Sequence, residues 1–479
     1  MFLGLDLGTS GLKAVLIDDA QNVVGEAHAP LTVQRPHPGW SEQSPADWLS
    51  ATEAALDALA ARHPLARVQG IGLSGQMHGA VCVDAADEVL RPAILWNDTR
   101  SAEEAASLDA DASFRAISGN IVFPGFTAPK IHWMAANEPA LRARIARVFL
   151  PKDYLRYWLT GEAVSEMSDA SGTSWLDTGA RDWSDTLLAA SGLTREQMPR
   201  LVEGSEASGK LRPELASRWG MGPNVVVAGG GGDNACSAVG VGVVGKGQAF
   251  VSLGTSGVLL AATEAYAPAP ETSVHTFCHS LPGIWHQMGV ILAATDALEW
   301  YARLTGSPAA QLTSELGPLK APGRAMFLPY LGGERTPHND AAIRGSLTGI
   351  EHVTDLDAGT RAVLEGVTHA IRDCHDALAA TGTTYDSILA VGGGSRSDYW
   401  LSAIATSLNV PVEIPVAGDF GGAYGAARLA LMAATGAGPE VAKRPAIARV
   451  IEPQAALTDA FAQAHARYQA TYKALKGLS

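Results

Sequence analysis

The chain carries one loop twice. Asp6-Leu7-Gly8-Thr9-Ser10-Gly11 stands near the N-terminus and Ser252-Leu253-Gly254-Thr255-Ser256-Gly257 near the middle. Each copy follows an apolar run (Phe2, Leu3, Leu5; Phe250, Val251) and precedes another (Leu12, Ala14 to Ile17; Val258 to Ala262). The pattern predicts strand, tight glycine turn, strand. Glycine lets backbone approach a ligand closely, and the Thr and Ser hydroxyls add donors. Two such hairpins, one in each half, predict one polyphosphate held between two domains. The copies differ where the first has Asp6 and the second Ser252. A single Mg²⁺ needs a carboxylate from only one side, and a second would repel the phosphates. One such hairpin would be an ordinary turn; the repeated string with the same flanks argues against chance.

At 479 residues the chain exceeds one ordinary core, so two large domains are expected. The expected division is 1–245 and 246–479, inside the Gly-rich stretch Gly240 to Gly247. A formal net charge of −14 without a basic run argues against nucleic acid or an anionic membrane as partner. It leaves phosphate binding open, because backbone N–H groups bind phosphate locally. The start, MFLGLDLG, has no basic leader and is not expected to be a signal peptide. No stretch is long and apolar enough to span a bilayer. Cys82, Cys236, Cys278 and Cys374 form no CxxC pair and read as reduced, buried thiols of a cytoplasmic protein rather than metal ligands.

Apolar runs alternate with Ala-rich helical stretches, which predicts α/β architecture. Helices are expected over 48–62, 360–379, 400–408 and 461–475, and strands over 68–73, 224–228 and 388–391. Gly240-Val-Gly242-Val-Val-Gly245 matches GxGxxG and resembles a P-loop start. It follows a helix and leads into a strand, and Gly247 stands where a P-loop needs Ser or Thr, so a linker is expected.

Asp233 follows Gly229-Gly230-Gly231-Gly232 and opens a helix. Asp is favoured as a helix cap. Four glycines also clear space around the carboxylate for a ligand, which would let Asp233 accept a proton from a hydroxyl. Asp6 reads as a turn Asp or, beside a phosphate hairpin, as a Mg²⁺ carboxylate. Gly392-Gly393-Gly394-Ser395, a strand-to-helix turn, offers a helix N-terminus to a nucleotide. Met77 and His78 lie at the carboxyl end of a strand, where α/β ligands gather. Trp96, with Asn97 and Asp98, reads as core or pocket. The string Phe327 to Pro337 reads as an ordered loop with no assigned chemistry.

Together and in order, these pieces resemble the FGGY carbohydrate kinases of the sugar kinase/actin/Hsp70 superfamily. The resemblance rests on GLDLGTSGLKAVL, GGGGDNACSAVGVG, SLGTSG, FLPYLGGERTPH and AVGGGSRSDYWLSAIA, and runs to about residue 435. Within the family, RPHPGWSEQ (35–43), SGQMHGAV (74–81), RPAILWND (91–98), PGFTAPK (124–130) and LPKDYLRYWLTGE (150–162) resemble the bacterial members that phosphorylate D-xylulose.

The resemblance implies two actin-like (ribonuclease H-like) domains around a central cleft. It implies transfer of the γ-phosphate of ATP, with Mg²⁺, to a sugar hydroxyl, here O5. By position it implies Asp233 as catalytic base and Asp6 as the carboxylate for Mg²⁺ and activity, with Asp233 near the same metal. Met77, His78, Asp233 and Asn234 match sugar contacts, and Trp96 joins them as a pocket residue. Gly8, Thr9, Ser10 and Gly11, with Gly254, Thr255 and Ser256, match phosphate hairpins. Gly393 and Gly394 match the adenosine loop, with Ser397 in the same stretch, and Trp300 matches an aromatic near the nucleotide. The expected partner is a small-molecule sugar, with a homodimer compatible with the sequence. A neighbouring kinase of ribulose, gluconate or glycerol, and a non-catalytic ATPase or sugar sensor, stand as alternatives.

Overall fold

The structure, a computed structural model, describes residues 1–416 and 421–478. The first sheet is built from β1 (Phe2–Leu7), β2 (Gly11–Ile17), β3 (Val23–Pro30), β4 (Gly70–Gly75), β5 (Ala207–Lys210), β6 (Val226–Ala228) and β7 (Gly231–Gly232), in the order β5-β6-β4-β1-β2-β3 with β7 on β4. The second is built from β8 (Ala249–Leu253), β9 (Gly257–Thr263), β10 (His275–Cys278), β11 (Trp285–Ile291), β12 (Ile388–Val391), β13 (Val412–Pro415) and β14 (Ile447–Ile451), in the order β10-β11-β9-β8-β12-β13-β14.

The two sheets share one plan. β1 pairs antiparallel with β2 and parallel with β4. β8 pairs antiparallel with β9 and parallel with β12. Each repeated loop is therefore the turn between the central strand and its antiparallel partner. β1 is covered on both faces, which is why it reads as a nearly unbroken apolar run rather than an alternating one. β3, at the edge, alternates, burying Ala27 and Ala29.

Tertiary pairing moves several ends. β4 runs on through Ser74 and Gly75, past the expected end at Leu73, because those residues pair with Asp6 and Leu7 on one side and with Gly231 and Gly232 on the other. The long helix starts at Leu356 rather than 360, because the Asp355 carboxylate accepts the Ala358 N–H at 2.8 Å. The stretch 240–247 links helix α2 (Asp233–Gly240) to β8, as a linker should. All four cysteines are buried and free.

The late helix α6 (Gly422–Thr435) crosses back and packs on β1, β4 and α2. Backbone meets backbone there. A Cβ on Gly72 would lie 1.9 Å from the Ala426 carbonyl oxygen, and one on Gly4 would lie 1.8 Å from that of Ala423. Arg428 of α6 donates to the Val239 and Gly240 carbonyls at 3.0 and 3.1 Å, satisfying the C-terminus of α2. The residues that open α2 are thus held from both ends of the chain.

Gly72→Ala should lower stability by about 1–3 kcal/mol, because the atoms an added Cβ would meet are all backbone of Ala426 and cannot yield. Gly222→Ala, where an added Cβ meets nothing within 4 Å, should stay within about 0.5 kcal/mol of the parent. Paired thermal melts read the difference.

Candidate active site

The register of β1, β4 and β7 builds the centre. Ser74 lies opposite Asp6 on one side and Gly231 on the other. Its hydroxyl donates to Asp6 at 2.7 Å. Asp233 follows two residues after Gly231, so the two carboxylates end adjacent segments of one sheet. Asp233 is the first residue of α2, whose capping position is Gly232, and among the described residues its carboxylate accepts only the Asn234 N–H and amide, at 2.7 and 2.9 Å. The capping alternative therefore does not describe it. Burial first, and the charge of Asp6 second, push its pKa up to about 6.

The four glycines serve a different purpose from the one expected. A Cβ on Gly229, Gly230 or Gly231 would strike Glu203, Leu73 or Ser280, so these clear neighbouring chain, not ligand. Only Gly232 faces the site, with Met77 Sδ 2.8 Å from its Cβ position. A buried cluster supports the turn. Lys152 bridges Asp153, Glu166 and Asp169 at 2.7, 3.1 and 3.0 Å. Arg156 donates to the Gly229 carbonyl, and Ser168 accepts the Gly232 N–H at 3.0 Å.

The two hairpins are held differently. In the first, Thr9 donates to Gln76 at 2.9 Å and accepts from the Trp96 indole at 3.0 Å, while Gln43 donates to the Thr9 carbonyl at 2.8 Å. The Thr9 hydroxyl is spent on the protein. Gly11 is required by packing, since its Cβ would strike His28, and Ser10 is exposed. In the second, the N-terminus of α3 (Thr295–Thr305) does the holding. Thr295 donates its N–H and hydroxyl to the Gly254 carbonyl at 2.9 and 2.8 Å, and Ala294 donates to Thr255 at 2.8 Å. Gly254 has no such packing demand; its Cβ would meet nothing closer than 3.6 Å.

A cavity of about 270 Å³ joins the halves. Met77, His78, Trp96, Asp233 and Asn234 line it from the first, Gly254 and Ser256 from the second. His78 is half-buried and stacked on Phe126 at 4.5 Å, with desolvation lowering its pKa to about 3. Its Nδ1 lies 2.8 Å from the Gly172 carbonyl, which only accepts, so Nδ1 carries the proton and Nε2 is left as an acceptor. Lys130 fixes the turn below, donating to the carbonyls of His78 and Gly125 at 2.7 and 2.6 Å. Sequence reasoning missed Phe123, Phe126, His275 and Arg335, which line the same cavity. Arg335 sits in the string Phe327 to Pro337, where local pattern carried no signal for it.

On the second half, Gly393, Gly394 and Ser397 line a cavity of about 650 Å³ with Leu298, Ala309 and Ala310. Ser397 also caps the helix Asp398–Leu408, accepting the Trp400 N–H at 3.3 Å. Trp300 does not line this cavity; it stacks on Phe327 at 5.4 Å, while its neighbours Leu298 and Glu299 face the space. Asn234 and Ser252 also line a cleft of about 800 Å³ with Gly392, Arg396 and Gly421, which runs between the sheets.

Two like sheets, each with a glycine hairpin on its central strand, the second lining the shared cavity and the first bonded to its wall through Trp96, together with a raised carboxylate on that wall, define a kinase of the actin-like ATPase class. The chain belongs to the FGGY family of carbohydrate kinases. Residues 1–240 match the model of the family's N-terminal domain and residues 249–434 that of its C-terminal domain. It is an ATP-dependent carbohydrate kinase by that membership. It is 48% identical over 472 residues, 98% of this chain and 96% of the other, to the xylulose kinase of Escherichia coli K12. A crystal structure named as a xyloylose kinase of Brucella ovis is 63% identical, with a TM-score of 0.98 over 100% of both chains. That of a Rhodospirillum rubrum xylulose kinase is 29% identical, with a TM-score of 0.92 over 99% of this chain and 98% of the other. No helix among the described residues is long and apolar enough to cross a membrane.

The raised pKa has a consequence for stability. Below pH 3.8 Asp233 is neutral in both states; between 3.8 and about 6 the unfolded chain loses the proton first, so stability is lost as pH rises through that window. Asp233→Asn should therefore raise the thermal midpoint at pH 8, with the gain shrinking towards pH 4. A gain independent of pH would exclude the charge as its cause.

Proposed function

We propose that the chain transfers the γ-phosphate of ATP to O5 of D-xylulose. The observation that carries the reading is the placement of Asp233, on a cavity wall shared by His78 and Met77 on one side and the second hairpin on the other. A sugar held there presents a hydroxyl to Asp233 with the phosphate loops beyond it. The named activity of the relatives supplies the choice of D-xylulose.

Asp233 takes the proton from O5 as the oxygen attacks the γ-phosphorus, and the bond from that phosphorus to the β-phosphate oxygen breaks to release ADP. Its raised pKa suits a base near neutral pH. His78 Nε2 accepts from a sugar hydroxyl, and Met77 with Phe126 shields one face. The N–H groups of Gly254 to Ser256 turn to the γ-phosphate because α3 occupies the carbonyls of Gly254 and Thr255. Gly393, Gly394, Leu298 and Ala309 form the adenosine pocket. The carboxylates of Asp6 and Asp233 suit Mg²⁺. Mg²⁺ usually keeps several waters and takes one or two carboxylates beside phosphate oxygens. Such an ion offsets phosphate charge when bound. We place the enzyme in the cytoplasm, on its buried free thiols, and allow a homodimer.

The deciding assay is coupled ADP release with D-xylulose, D-ribulose, L-ribulose, glycerol and gluconate. D-Xylulose should give the highest kcat/KM; preference for another acceptor would overturn the sugar while leaving the kinase. Asp233→Asn should lose about 10²–10⁴-fold in kcat with ATP still bound. His78→Ala should raise KM for the sugar about fivefold or more, with KM for ATP nearly unchanged. In Asp6→Ala, turnover should need markedly more Mg²⁺ while the melt stays intact; an unchanged Mg²⁺ profile would remove the metal role.

A further inference from the structure

Arg335 enters the sugar cavity from the second half and is given no task by the steps above. Its backbone is stitched to β11 on both sides. Glu334 accepts the Leu292 N–H at 3.0 Å and the Arg335 N–H at 2.8 Å. Thr336 donates its N–H to the Val290 carbonyl and accepts the Val290 N–H on its hydroxyl, both at 3.0 Å. Val290 and Met288 of that strand line the same cavity. The guanidinium centre lies 5.1 Å over the ring of Phe123, a residue of the first half. Among the described residues it makes no ion pair and no side-chain hydrogen bond. A guanidinium with five N–H donors and no acceptor, held on a cavity wall, calls for acceptors brought by a ligand.

The wall it occupies is the aromatic one, formed with Phe123, Phe126 and His275. The Phe123 ring under the guanidinium packs on Phe126 and His275 at 5.3 and 5.1 Å, and Phe126 stacks on His78 at 4.5 Å. A five-carbon chain with O5 at Asp233 and a hydroxyl on His78 would run along this wall and bring its C1–C2 end within the same cavity as Arg335.

We propose that Arg335 determines specificity for a 2-ketose, its guanidinium fork donating to the C2 carbonyl oxygen and the adjoining hydroxyl. This rests on the reading that the acceptor is D-xylulose. A carbonyl oxygen offers two in-plane lone pairs to a planar fork, whereas the C2 hydroxyl of the matching polyol is tetrahedral and must place its own proton. The sugar would thereby touch both halves of the molecule, His78 and Asp233 on one and Arg335 on the other.

Calorimetric titration of the full chain with D-xylulose, xylitol and gluconate tests this. Arg335→Met should weaken D-xylulose about 10- to 100-fold and xylitol less than threefold, leaving the two held alike. Arg335→Lys, which keeps the charge and loses the fork, should fold normally and lose most of the preference for the ketose. D-Xylulose binding within threefold of the parent in Arg335→Met, or equal losses for ketose and polyol, would overturn the role. Full ketose preference in Arg335→Lys would do the same, and decides the matter if the Met variant fails to fold. A parent chain that binds gluconate but not D-xylulose would overturn the acceptor reading instead.

Discussion

Three strand ends in one register govern the rest of this molecule. Asp6, Ser74 and Gly231 stand side by side, and that alignment delivers two carboxylates of like charge to one place. Left alone, such a pair is unfavourable, and burial first, with the charge of Asp6 second, raises the pKa of Asp233. The surrounding fold is arranged to hold it. The Lys152 cluster, the Ser168 contact to Gly232 and the Arg156 contact to Gly229 fix the turn from below. Helix α6 and Arg428 fix α2 from behind. In the proposed mechanism a cation and a phosphate ester would arrive at this pair and offset its charge.

The repeated hairpins show how one local motif is put to two uses. The first is locked by side chains, Thr9 to Gln76, Gln43 and Trp96, so its turn is tied to the wall of the sugar cavity. The second is locked through its carbonyls by the start of α3, which leaves its N–H groups and Ser256 towards the cleft. The carboxylate on the first side and the open glycine on the second divide the handling of charge between the halves.

Much of the chemistry was readable in the chain. The duplicated loop gave the two-sheet plan, because a glycine turn between apolar runs has few other structures open to it. Asp233, His78, Met77, Trp96, Gly393 and Gly394 were found from motif and position, and the structure gathers them onto the walls of two cavities. Trp300 was carried over by position alone, and the fold turns it towards Phe327 while Leu298 and Glu299 face the pocket. A helix shows one residue in three or four to any one side, so a shift of one or two positions moves a side chain off it.

By itself the sequence determined the alternation of strands and helices and the turn chemistry of the two loops, and it singled out Asp233 as the candidate base. These depend on neighbours a few residues apart. Only the tertiary structure decided that α6 returns to the first sheet, that three of the four glycines before Asp233 make room for neighbouring chain, and that Arg335 meets Phe123 across the cavity. Each of these joins residues tens or hundreds of positions apart. No local periodicity or propensity encodes such a contact; it comes into being when the two sheets and the late helix pack together.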